Sequence, residues 1–315
     1  MQCPRLNHFV RFNPDGTVSR CGHMINPPRF SNLQDMENSN WLLGVKAKIE
    51  YGNWPVECLR CHETESVNNT SIRLNAIEFH KKQTLADYLI VGGVLDNICN
   101  SGCLTCNEEL STKIGSLLSK TYPIVDNTNY FWKLPTERIV HLDINGGEPS
   151  ASKNYREILK NPPPNVKSIR INTNCSLIID EVQSIIERGI QVTVTVSLDG
   201  IEEVHDFVRW PIKWDKFYDN LMYYKGIEKL ELNTWTTVSA LNINNFIAIK
   251  QFVASHQLNH SYAFLHNPDP INVKYENNLT IPYKNIFPGI VAIDKNNQEE
   301  LDTFITNQKA LRDII

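Results

Sequence analysis

The sequence predicts an α/β fold built on a parallel sheet, and three observations carry that expectation. Six short apolar runs, at 88–95, 139–144, 166–171, 191–197, 229–238 and 261–265, have the length and β-branched content of strands. Segments with the helical spacing of apolar residues lie between them, near 108–120, 154–160, 179–188, 214–224 and 244–256, the last preceded by Asn242 as a polar cap. Each connection is long enough for the right-handed crossover that joins parallel neighbours. Such a chain forms either an open doubly wound sheet or an incomplete barrel, and the pattern alone leaves both open.

The stretch ahead of the first strand reads differently. Asn13-Pro14-Asp15-Gly16 is a turn signal between 9–12 and 17–20, so a small hairpin is expected there. Residues 1–86 are read as a small N-terminal cysteine-rich module, 87–268 as the α/β unit, and 269–315 as a C-terminal tail. The chain turns loop-like after Leu265, with Pro268, Pro270, Pro282 and Pro288, and ends in a helix over 299–312.

Of the 315 residues, 41% are hydrophobic and 21% charged, the balance of an ordinary globular chain. Lys and Arg number 31 against 35 Asp and Glu, a net charge of −4, which lacks the basic excess of a nucleic-acid binder. No run reaches the roughly 18 apolar residues that span a bilayer, and the first ten residues hold no apolar signal core, so a cytoplasmic protein without a membrane partner is expected. In that reducing setting the eight cysteines point to metal binding or catalysis rather than to disulfides.

Cys99-Asn100-Ser101-Gly102-Cys103-Leu104-Thr105-Cys106 gathers three soft thiolates within eight residues, directly after the first strand. A closed zinc site or a fully ligated four-iron cluster takes four cysteines; three leave one iron free for an outside ligand. Gly102 gives the loop the backbone freedom to bend around such a group. A zinc site with a remote fourth ligand, or three unligated thiols, are the plainer alternatives.

Here the sequence resembles the radical-SAM superfamily, whose cluster loop has this CxxxCxxC spacing at the end of the first barrel strand. Gly146-Gly147-Glu148-Pro149 follows the second strand as the family's GGEP motif does. Asn172-Thr173-Asn174 stands where the family often has a TNG-like turn. Ser197-Leu198-Asp199-Gly200, followed by His205-Asp206-Phe207-Val208-Arg209, looks like the family's SLDG and HD..R stretch. The resemblance covers about residues 87–266. It implies a partial (β/α)6 barrel with a [4Fe–4S] cluster on Cys99, Cys103 and Cys106, and S-adenosylmethionine (SAM) at the C-terminal mouth.

Carried over position by position, the resemblance implies that Gly146 and Gly147 let backbone approach the methionyl amino group and that Glu148, ahead of Pro149, holds it. Asn172 becomes a candidate for cofactor binding, Ser197 and Asp199 for SAM's ribose or methionyl end, Arg209 for its carboxylate, and Ser239 and Asn242 for the nucleoside. The sixth strand departs from the family's adenine motif, reading Tyr262-Ala263-Phe264-Leu265-His266. Cys175 stands where the family often has glycine, either as a hydrogen-atom donor near the mouth or as an inert buried thiol.

Cys58-Leu59-Arg60-Cys61, with Cys21 after the hairpin turn and Cys3 before it, brings four thiolates within reach of one site. This resembles the auxiliary-cluster module of twitch-type, SPASM-like relatives, here ahead of the barrel; a second [4Fe–4S] cluster is the expected occupant and structural zinc the alternative. The resemblance implies reductive cleavage of SAM to a 5′-deoxyadenosyl radical acting on a peptide or protein, with a nucleotide or small metabolite as the alternative substrate. An electron donor such as flavodoxin or ferredoxin would be a partner. A non-catalytic electron carrier or a zinc-bearing adaptor are readings of a different class.

Overall fold

A computed structural model describes residues 1–119, 123–265, 271–272 and 298–312. Its centre is one eight-stranded sheet: β1 Phe9–Phe12, β2 Val18–Ser19, β3 Leu89–Val94, β4 Ile139–Asn145, β5 Ser168–Thr173, β6 Gln191–Ser197, β7 Glu231–Val238 and β8 Asn259–Phe264. The strand order is β2-β1-β3-β4-β5-β6-β7-β8. From β3 to β8 spatial order follows chain order, with parallel pairing at every step. A doubly wound sheet reverses its order at a switch point; this sheet does not, and among the described strands β2 and β8 do not pair, so it is an open partial barrel.

The two faces of the sheet explain its curvature. In β6, Val192, Val194 and Val196 are fully buried, while the alternating Thr193, Thr195 and Ser197 are half-buried. The valines share a core with Tyr155, Ile158 and Leu159 of helix Lys153–Lys160, Val182 and Ile185 of Glu181–Glu187, Phe217 and Leu221 of Trp214–Lys225, and Ile249 and Val253 of Phe246–Ser255. Burial of each such side chain stabilises the fold by about 1.5–3 kcal/mol. The helices therefore cover the convex face. The concave face is polar: Asp143 pairs in register with Arg170, Arg170 with Thr193, and Thr193 with Glu231.

The hairpin forms as expected, β1 running antiparallel to β2. Its β1 strand also pairs parallel to β3, Phe9 opposite Ile90 and Phe12 opposite Gly93, so the hairpin extends the barrel sheet. Three helices that the sequence reading does not include, Asn40–Glu50, Leu59–Asn68 and Ile72–Lys81, follow it. The expected helix over 108–120 shortens to Thr112–Leu117, because the Ser111 side chain caps the Ile114 N–H and the preceding residues turn around Asn107. Residue 120, residues 266–270 and the proline-bearing stretch 273–297 lie outside the described residues; the terminal helix runs Gln298–Leu311. No helix among the described residues is long and apolar enough to cross a membrane.

Candidate functional site

Parallel strands in chain order deliver all their outgoing loops to one end of the barrel, and the sequence motifs sit in those loops. The loop leaving β3 carries the cysteine trio and is fastened on every side. Asp96, fully buried, accepts the Ile98 N–H at 3.0 Å and the Ser152 hydroxyl. The Asn97 amide donates to the Glu109 and Pro123 carbonyls and accepts from Val125. Thr112 Oγ1 bridges the backbone of Cys99, accepting its N–H and donating to its carbonyl, both at 3.2 Å. The Ser101 hydroxyl lies 3.0 Å from Cys103 Sγ and also reaches the Arg209 and Trp210 carbonyls.

The GGEP turn after β4 clasps the start of this loop. Gly147 N–H donates to Asp96 O at 2.9 Å and Glu148 N–H to Ile98 O at 2.7 Å. Gly146 has φ +111°, and a Cβ there would crowd Val94. The Glu148 carboxylate, 1% exposed, accepts four bonds: from the Ser150 N–H and hydroxyl, from Thr173 Oγ1 at 2.7 Å, and from the Asn174 N–H at 2.6 Å. It therefore ties the ends of β4 and β5 together and leaves one lone-pair direction of Oε2 open. Pro149 continues the turn. Asn174 in turn donates to Asn100 at 3.0 Å, and Asn100 to Ser176 at 2.9 Å, joining the cysteine loop to β5.

Beyond β6, Asp199 is 1% exposed and accepts Thr237 N–H on Oδ1 and Arg209 Nη1 on Oδ2 at 3.1 Å. Asn242 donates to the Asp199 and Thr237 carbonyls and accepts Ser239 N–H, while Ser239 Oγ accepts Leu241 N–H, so both brace the Asp199 turn. Ser197 and Asn172 are half-buried on the concave face, as the last residue of β6 and the fifth of β5. Among the described residues, Arg209 Nε is buried without a partner. Burial opposes the Arg209 charge, but Cys103, Asp199, Cys106 and Cys99 together outweigh it and hold the guanidinium protonated.

The trio fits a sulfur-ligated group. All three thiols are free of disulfide. Burial, then the neighbouring Cys103, pushes Cys99 up to about 12 and Cys106 up to about 11. Thiols so placed stay protonated on their own and release their protons to solvent when a metal cation binds sulfur in the proton's place. Among the described residues, no group of three or more His, Cys, Asp or Glu side chains is already placed to hold a metal ion.

Cys3, Cys21, Cys58 and Cys61 line one small cavity beside β1 and β2, together with Arg5, His23 and Arg73. Arg5 Nε donates to Cys21 Sγ at 3.3 Å, and Arg73 Nη1 to the Gln2 carbonyl at 2.8 Å. Burial first, then the other thiols, raises Cys58 to about 12 and Cys3 to about 11. Cys175 lies elsewhere: at φ +61° it is fully buried in the main core, its sulfur 4.0 Å from the Phe217 carbonyl, and burial raises its pKa.

Thr173 and Asn174 enter the sequence reading only within the Asn172-Thr173-Asn174 turn, and Asp96, Asn97, Ser101, Ser152 and Arg312 have no role in it; all are buried polar residues that brace these loops. Asp96 and Asn97 carry a legible signal, two polar residues straight after an apolar strand. The bracing roles of the others carry none, because their partners are remote in sequence.

No family model matches the sequence, and no curated protein matches it. Solved structures do. The chain is similar to anSMEcpe with bound AdoMet at 17% identity and a TM-score of 0.43, over 69% of this chain and 59% of that one. It is similar to Streptococcus suis SuiB bound to S-adenosylmethionine at 14% identity and a TM-score of 0.45, over 97% and 70%. SuiB bound to the precursor peptide SuiA gives 16% identity and a TM-score of 0.44, over 98% and 70%. The chain thus spans about three fifths of the first of these proteins. The likeness is one of fold, to proteins whose structures hold S-adenosylmethionine.

Proposed function

We propose that this chain is a radical-SAM enzyme in which Cys99, Cys103 and Cys106 hold a [4Fe–4S] cluster and the loops after β4, β6 and β7 hold SAM. When bound, such a cluster supplies the electron that cleaves SAM's carbon–sulfur bond to methionine and a 5′-deoxyadenosyl radical. The observation that carries the reading is the convergence of the trio, the GGEP turn and the Asp199–Arg209 pair at one end of the barrel, with a buried donor, Arg209 Nε, left without an acceptor. SAM's methionyl carboxylate is the acceptor we assign to it.

Gly146 and Gly147 bring backbone close to the methionyl end, and Glu148 offers its open Oε2 direction to the ammonium while fixing the β5 turn. Asp199 holds Arg209 in place; Ser239 and Asn242 act through that turn, with Asn172 and Ser197 facing the nucleoside from the concave side. Cys175, walled into the core, receives no chemical role. A peptide or protein is the substrate class that the resemblance implies, with a nucleotide or small metabolite as the alternative. The four N-terminal cysteines would hold a second cluster, and a flavodoxin- or ferredoxin-like donor would supply electrons.

Reduced, anaerobically reconstituted protein should release 5′-deoxyadenosine from SAM, and a variant with Cys99→Ala, Cys103→Ala and Cys106→Ala should release none. Equal product from both would sink the proposal. A SAM titration separates the enzyme from an electron carrier or adaptor, which has no use for the site.

A further inference from the structure

Gly102 lies between Cys99 and Cys103, and both ends of its peptide are held. Its N–H donates to the Trp210 carbonyl at 2.8 Å. Its carbonyl accepts Nε of Arg312 at 3.0 Å and Nη2 at 2.8 Å, across 210 residues of sequence. A Cβ on the glycine would crowd the side chains of Leu117 at 3.0 Å and Trp210 at 3.2 Å.

The helix that delivers Arg312 is anchored independently. Leu301, 3% exposed, packs with Ala240, Leu265 and Ile271 beyond the ends of β7 and β8. Between helix and loop lies a cavity of about 290 Å³ lined by Cys103, Cys106, Phe304 and Gln308 among others.

Arg312 is only 5% exposed, and among the described residues it forms no ion pair with a carboxylate. A buried charge without a counter-charge is costly. Burial disfavours the charged guanidinium, and the neighbouring Cys103 is the group that favours it. Three thiolates around a cluster would supply that counter-charge.

We infer that Arg312 is a positioning residue for the cluster, clamping its loop through the Gly102 carbonyl and placing a buried positive charge behind Cys103. This rests on the cluster reading above. A cation at that place stabilises the reduced, more negative state, so its removal makes the cluster harder to reduce.

Arg312→Gln, Arg312→Lys and the exposed neighbour Lys309→Gln are to be reconstituted anaerobically, and iron content and the midpoint potential measured by electron paramagnetic resonance without SAM or substrate. Arg312→Gln is expected to shift the reduced-to-oxidised ratio about tenfold toward oxidised, roughly 59 mV for one electron. Arg312→Lys should stay near the parent, and Lys309→Gln should not move. Failure of Arg312→Gln to load iron, with Arg312→Lys and Lys309→Gln loading fully, would support the clamp. A fully loaded Arg312→Gln protein with the parent's potential would overturn the inference. Parent protein without any iron–sulfur signal would overturn the cluster reading itself.

Discussion

Gly147 lies so close to Ile98 that a Cβ on the glycine would contact the Ile98 carbonyl oxygen and stand 2.8 Å from its carbonyl carbon. That contact, with Glu148 N–H bonded to the same carbonyl, sets how tightly the GGEP turn presses on the cysteine loop.

Gly147→Ala should therefore displace backbone rather than a flexible side chain. A loss of about 1–3 kcal/mol is expected from overpacking. The turn's hold on SAM should fail as well. Chemical denaturation of the metal-free protein and a SAM titration of the reconstituted protein measure the two effects; unchanged values in both would contradict the close approach.

Asp199→Asn removes the negative partner of a buried guanidinium held at 3.1 Å. Breaking one side of such a pair costs about 3–5 kcal/mol, because the remaining charge is left uncompensated. A lowered denaturant midpoint with an unchanged slope would report it. A loss below about 1 kcal/mol would mean that the pair is solvated.

Cys58→Ser with Cys61→Ser removes half of the N-terminal donor set and leaves the Cys99 loop untouched. Iron is expected to fall from about eight to about four atoms per chain while SAM cleavage by the remaining cluster persists. Zinc in place of half the iron in the parent protein would make the site structural.

His205 is fully buried against Phe217 and Trp214, ring centroids 4.2 and 5.5 Å apart, with neither ring nitrogen partnered. Burial, then the Arg209 charge, pulls its pKa down to about 3. An unfolded histidine titrates near 6.5, so between about 6.5 and 3 the unfolded chain binds the extra proton. Its contribution is thus present above pH 6.5 and lost as pH falls through that window, by about 1.4 kcal/mol per pH unit at the steepest. His205→Phe should flatten the stability profile there; an unaltered profile would show that His205 is charged in the fold.

Much of this protein was legible in one dimension. The alternation of β6, Val192, Val194 and Val196 against Thr193, Thr195 and Ser197, is a local property, and the strand lies where its sequence puts it. The trio's spacing and the order of the loops likewise depend only on neighbours along the chain, and parallel crossovers then carry those loops to one end.

Other features required the fold. Glu148 reads in sequence only as a holder of SAM's amino group, yet Thr173 and Asn174, 25 and 26 residues on, supply half of the hydrogen bonds its carboxylate accepts. The hairpin reads as a separate piece, yet β1 finds an open parallel edge on β3. Arg312 gives no signal in sequence, because its meaning lies in a carbonyl 210 residues away. Periodicity and spacing record what each segment buries or ligates locally. Hydrogen-bond partners and counter-charges between remote loops are chosen by packing, and only the tertiary structure decides them.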